Sequence, residues 1–367
     1  MSRIALLTAH LQRNDAVGHD TLHMQEVLRK LGHEVQCFAP NADAGLDCRP
    51  PRRISEFLKS ADDILIYHYA VAYPEALELF RTLNCRKIIK YHNVTPPEFF
   101  EPFHGGYADL CRRGRDMLRD FVATGPDLML GDSKFNVEDL VAAGALPERC
   151  GIVPPFHAVD RLQELEADLD FLQRFAPDAF GAPKNLLMVG RIVPNKGYEH
   201  LIRSFALYRE RYLFGGDARL ILAGKTEAPL ALYTAGLRKL CRDLNVEASV
   251  VFTDRISAAA LKAAFLTADL FALMSEHEGF CVPAIEAMAF GVPIVALDRG
   301  AVGDTVGDGG LVWQENDPAL FATSFARVLS DGDLAWELGD RGQERFRTAF
   351  SNSAIEEKFT GALREFL

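Results

Sequence analysis

The chemistry of this chain starts with an arginine and a lysine five residues apart. They lie in Gly190-Arg191-Ile192-Val193-Pro194-Asn195-Lys196-Gly197, immediately after the strand-like apolar run 185–189. A tight loop that enters a helix with an Arg fork and a Lys point charge suits a di-anion such as a diphosphate. A solvated basic loop would show the same residues. The loop is not a P-loop, because Lys196 precedes the glycine and no Ser or Thr follows.

Two carboxylates form the second constellation. Glu278 and Glu286 are separated by seven residues in the segment 275–293, the first in a loop after an apolar run and the second inside the next helix. Ile285, Met288 and Ala289 surround Glu286, so its carboxylate lies on a largely buried helix and needs hydroxyl or amide partners. The Glu278-Gly279-Phe280-Cys281 stretch leaves backbone N–H groups at a helix start, a second place for an anion. His277-Glu278 lacks the second histidine of a zincin, which removes the metalloprotease reading.

These loops need a scaffold that ends strands beside one another. Apolar runs at 3–9, 34–38, 63–67, 87–91, 128–131 and 151–153 alternate with helix-length amphipathic stretches, the first at 19–31. The pattern repeats after Pro183 with runs at 185–189, 219–223, 249–253, 270–274 and 293–297. Continuous apolar strands alternating with helices indicate parallel sheets covered on both faces. The chain is therefore expected to be α/β, with two doubly wound, Rossmann-like domains facing across a cleft. The expected division is 1–160, a connector at 161–183, 184–350, and a terminal helix at 351–367 that packs back on the first domain. In such sheets ligands sit beyond the carboxyl ends of the strands.

Composition removes other classes. The 367 residues include 49% apolar and 25% charged ones, an ordinary globular balance. A net charge of −11 argues against coating nucleic acid. Seven dispersed cysteines without a C-x-x-C pair fit reduced thiols in a cytoplasmic protein. No apolar run is long enough to span a membrane. The strings Asp168-Leu169-Asp170 and Asp331-Gly332-Asp333 follow no strand and read as surface, so no metal site is expected.

The glutamate pair with Gly291-Val292-Pro293, together with Gly190-Arg191 and Lys196-Gly197, resembles the signature of retaining family-4 glycosyltransferases of the GT-B fold, the bacterial polysaccharide-building kind. The resemblance implies that Arg191 and Lys196 hold a nucleotide diphosphate, and that Glu286 meets the ribose. It also implies that Glu278, with the amides of Gly279, Phe280 and Cys281, holds the donor sugar and distal phosphate. The turn bearing Arg255 and Ile256 takes the place of the base-binding turn, with Asp254 where the family has glycine. His92, in His92-Asn93-Val94-Thr95-Pro96-Pro97, falls where the family carries a histidine beside the sugar. Gly18 and Asn93 fall on the acceptor side, Gly18 in a loop at 10–20 that lacks the family's adjacent glycines.

The expected function is thus metal-independent, front-face, retaining transfer of a hexose from a nucleotide-diphosphate sugar to a glycan or lipid-linked glycan. The sugar nucleotide is a co-substrate and no cofactor is expected. A lipid-linked acceptor implies peripheral contact with the inner membrane face. Two other readings remain: a non-catalytic sugar-nucleotide-binding protein, and a nicotinamide oxidoreductase, which the absent glycine fingerprint disfavours.

Overall fold

The structure, a computed structural model, describes residues 2–175, 183–213 and 217–367. The chain divides into two compact units: residues 1–101, 105–158 and 350–367 form the first, and 102–104 with 159–349 the second.

The strands of the first unit are β1 (Arg3–Thr8), β2 (Glu34–Phe38), β3 (Cys48–Arg49), β4 (Ile64–Tyr69), β5 (Arg86–Tyr91), β6 (Leu128–Gly131) and β7 (Cys150–Ile152). They pair in the order β3-β2-β1-β4-β5-β6-β7, all parallel. The order reverses between β1 and β4, so the loops after those two strands diverge and leave a binding crevice. Apolar side chains pack both faces. One cluster includes Tyr67, Tyr69, Phe80, Tyr91 and Phe121. The other includes Ile4, Leu6, Leu28 and Ile66, together with Ile355 and Phe359 from the terminal helix Asn352–Ala362 and Leu363, which caps it.

The second unit repeats the plan with β8 (Lys184–Val189), β9 (Ala218–Ala223), β10 (Val250–Asp254), β11 (Leu270–Leu273), β12 (Ile294–Leu297) and β13 (Gly310–Trp313). The parallel order is β10-β9-β8-β11-β12-β13, which reverses between β8 and β11. Two doubly wound parallel sheets are therefore what the strand–helix alternation built.

Three details differ from the sequence reading. The helix expected over 19–31 begins three residues earlier, as Ala16–Lys30, because the Asp15 carboxylate accepts from the Gly18 N–H and caps it. Gly18 consequently lies in a helix and not in a loop. A Cβ there would stand 1.6 Å from the Gln12 carbonyl oxygen, so only glycine fits. The expected connector 161–183 instead contributes to the helices Val159–Glu164 and Leu169–Phe175 within the second unit, which also takes in 159–160 from the expected first domain, while 176–182 lie outside the described residues. The short strands β3 and β13 were not expected: β3 is only Cys48-Arg49, and the apolar run of β13 is only Leu311-Val312-Trp313. Asp168 and Asp331 each accept from a backbone N–H in the first turn of the following helix, a capping use of both acidic strings.

Candidate functional site

In the second unit the loops after β8 and β11 lie at the point where strand order reverses, and they lock together. Gly197 has φ +65°, and a Cβ on it would stand 1.8 Å from the Met274 carbonyl oxygen. Glycine alone lets the two loops approach this closely. The Asn195 carbonyl accepts from the Glu276 N–H at 2.8 Å, and the Asn195 amide donates to the His277 carbonyl at 3.2 Å. Lys196 is thereby carried over to Glu278, with Nζ–Oε1 at 2.5 Å and both side chains largely buried.

The backbone after Glu278 is pinned from the other side. Its carbonyl accepts from the Ala301 N–H at 2.9 Å, and the Phe280 carbonyl accepts from Thr305 Oγ1 at 2.8 Å. Gly279 links these two anchored positions. Cys281 takes a left-handed φ of +82° just before the helix Val282–Ala289, which turns the chain sharply into that helix. Burial and then the adjacent Glu278 push its thiol far above the usual range, so it stays a neutral, inert group.

Glu286 lies half-buried on the same helix, and its carboxyl has no hydrogen-bond or ion-pair partner among the described residues. Burial alone pushes its carboxyl up to about 7, from an ordinary 4.5. Arg191 is mostly in solvent, its nearest acid being Glu227 at 4.0 Å, and Lys225 also reaches Glu227 at 3.3 Å. The structure thus brings Lys196 and Glu278 into contact and gathers Gly279, Phe280, Cys281 and Glu286 onto the adjoining loop and helix. Glu227 was not singled out by sequence, because nothing local ties it to Arg191.

Arg255 and Ile256 follow β10, two strands away from β8, Arg255 exposed and Ile256 half-buried. Asp254 has φ +58°, the conformation that favours glycine. Its Oδ1 accepts from the Thr226 N–H at 3.0 Å and from Thr226 Oγ1 at 3.3 Å, which holds the turn and keeps the carboxylate ionised.

The remaining expected residues lie in the first unit. His92 follows β5 with Nδ1 2.9 Å from Asp132 Oδ2 and Nε2 3.0 Å from His68 Nδ1. Asn93, at φ +74°, donates from Nδ2 to Asn136 Oδ1 at 2.9 Å and to Asp139 Oδ2 at 3.2 Å, so its amide is spent inside its own unit. Gly18 supports a helix N-terminus, as described above. His68, Lys90, Asp132 and Asp20 were missed, although the polar His68 and Lys90 inside the buried strands β4 and β5 were a usable signal. No described helix is long and apolar enough to cross a membrane, and all seven cysteines are free thiols.

Comparison with known proteins bears on both units. Residues 171–345 match the family described as "Glycosyl transferases group 1". A D-inositol 3-phosphate glycosyltransferase of Salinispora arenicola is 29% identical over 246 residues, covering 65% of this chain and 55% of that protein. The chain spans about half the length of the curated relatives it matches. Among solved structures, sucrose-phosphate synthase from Thermosynechococcus elongatus superposes with a TM-score of 0.77 at 19% identity, over 100% of this chain and 99% of that one. Anabaena HepE in complex with UDP and glucose gives 0.76 at 16% identity, over 100% of both chains. The whole chain therefore has the GT-B fold of two Rossmann-like domains, and its segment 171–345 is similar to the group 1 glycosyl transferases.

Proposed function

We propose that the protein is a retaining glycosyltransferase that moves a hexose from a nucleotide-diphosphate sugar to a glycan or lipid-linked glycan. The observation that carries this reading is the pairing of Lys196 with Glu278 at the strand-order reversal, next to a partnerless Glu286. Arg191 and Lys196 supply positive charge for a diphosphate, and the amides around Gly279, Phe280 and Cys281 supply neutral donors. Both act where negative charge grows as the diphosphate departs, and such preorganised charge lowers the barrier. Glu278 orients Lys196 and meets the sugar, Glu286 accepts from the ribose hydroxyls, and the turn at Arg255 and Ile256 meets the base. No metal is assigned to the diphosphate. His92 stands on the acceptor-binding half, as do Gly18 and Asn93. A lipid-linked acceptor would bring the protein to the membrane surface.

The test is nucleoside diphosphate release from a panel of nucleotide sugars, with and without glycan acceptors, and the anomeric proton coupling of the product. Release with retained configuration supports the proposal, and inversion removes the front-face mechanism. The partnerless Glu286 also suits a protein that only binds sugar nucleotides. Binding of the panel without any release would favour that second reading.

A further inference from the structure

The carboxyl end of the first unit's sheet buries five ionisable groups, of which the transferase reading uses only His92. His68 lies near the end of β4 in register with Lys90 on β5, His92 and Asp132 follow β5 and β6, and Asp20 reaches in from the helix Ala16–Lys30. The side chains of Asp20, His68 and Lys90 have no exposure, and those of Asp132 and His92 only 5% and 6%.

With both rings neutral, counting donors and acceptors fixes the protons. The Lys90 ammonium lies against Asp132 Oδ1 and donates to the Val153 carbonyl at 2.5 Å. Asp132 beside that ammonium is a carboxylate and can only accept. Its other oxygen, 2.9 Å from His92 Nδ1, therefore receives an N–H from that nitrogen. A neutral His92 then has only a lone pair at Nε2, so the His68 Nδ1 at 3.0 Å must donate to it. His68 Nε2 is left with a bare lone pair, buried and without a partner among the described residues. A proton there would make a buried, unsatisfied N–H. Burial also pushes the His68 imidazole below its ordinary pKa, against the pull of Asp20, which favours the neutral ring.

Asp20 Oδ2, His68 Nδ1 and His92 Nε2 lie within 4.8 Å of one another, a donor set that zinc accepts. The ring directions speak against a shared ion. The imidazole planes differ by 11° and their centroids are 5.3 Å apart, while the nearest nitrogens are 3.0 Å apart. Those values place the rings end to end, each nitrogen aimed at the other and neither toward Asp20. This is the geometry of an N–H···N hydrogen bond. Asp20 Oδ2 stands aside at 3.5 and 3.6 Å, with its other oxygen accepting from the Phe156 N–H at 2.8 Å.

We propose that His68 is a positioning residue for His92, the directed chain Lys90–Asp132–His92–His68 holding both imidazoles as Nδ1–H tautomers and His92 in one orientation. The wiring stands independently of the transferase reading, and its effect on sugar transfer rests on that reading. The experiment assigns both histidines by long-range ¹H–¹⁵N correlation at pH 8 in the full chain, and compares His68→Leu with His68→Asn. Asparagine keeps an N–H where His68 Nδ1 stands, and leucine does not. The expected result is Nδ1–H at both rings, a displaced His92 Nε2 signal in His68→Leu, and a kcat lowered about 10–100-fold at unchanged donor KM, largely restored in His68→Asn. An Nε2–H at either ring, or one bound metal per purified chain, overturns the wiring. Equal losses of kcat in folded His68→Leu and His68→Asn overturn the positioning role. A chain with both expected tautomers that transfers no sugar faults the transferase reading and leaves the wiring intact.

Discussion

Replacing Glu286 with Gln should abolish a pH dependence of nucleotide binding that the native carboxyl imposes. Burial alone holds that carboxyl at about 7. At pH 5 about one chain in a hundred is then ionised at Glu286, and at pH 8 about nine in ten. If ribose hydroxyls bind only the carboxylate, affinity rises by about 90-fold across that range. Hydrogen bonds to a charged acceptor exceed neutral ones by about 1–1.5 kcal/mol each, so two hydroxyls supply a preference of about 30–150-fold, which approaches that ceiling. The assay is calorimetric titration of UDP or GDP, whichever binds, into native and Glu286→Gln protein from pH 5 to 8. The diphosphate's own titration is common to both proteins and cancels in their ratio of association constants. That ratio should climb about 20–55-fold from pH 5 to 8, because the protonated form still binds weakly at the low end. The sign for the free protein is opposite. A carboxyl whose pKa is raised on folding stabilises the fold most when protonated, so native stability falls as pH rises from about 4.5 toward 7. Glu286→Gln should lack that decline. A ratio of association constants flat to within about threefold would refute the assignment of Glu286 to a hydroxyl-bearing ligand.

Other outcomes follow from the same geometry. Glu278→Gln should lower kcat about 10²–10³-fold and leave affinity for free nucleoside diphosphate nearly unchanged, since the Gln amide oxygen can still accept from Lys196 while the charge facing the sugar is lost; steady-state kinetics with parallel titration would show a misassignment if diphosphate affinity collapses instead. Gly197→Ala forces a Cβ onto the Met274 carbonyl and should destabilise the second unit by about 2–4 kcal/mol in urea unfolding, with donor affinity lost alongside; native-like stability would mean the loops can part freely. Nucleoside diphosphate affinity should be the same in EDTA and in Mg²⁺ or Mn²⁺, and a large gain with metal would require a cation on the diphosphate. Phe359→Ala removes a fully buried ring from the first unit's core and should lower its stability by about 3–5 kcal/mol, read from its unfolding transition.

The periodicity of apolar runs was enough to read two doubly wound sheets, because strands buried on both faces must be continuous in apolar residues. The places of Arg191, Lys196, Glu278 and Glu286, in loops after strands or on the helix that follows, were legible as well, because chain order already dictates that neighbourhood. The sequence could not show that Lys196 and Glu278 touch, for they are 82 positions apart and meet only because Gly197 admits the Met274 carbonyl. Nor could it show that Asn93 spends its amide on Asn136 and Asp139, or that Gly18 opens a helix that Asp15 caps. The four buried groups around His92 were least visible. Asp20, His68, Lys90 and Asp132 come from one helix, two strands and a loop, and parallel register alone sets His68 beside Lys90. Local pattern records which face a residue takes, whereas the partner across that face is a matter of long-range packing. Only the tertiary structure decides where a proton can sit between two imidazoles.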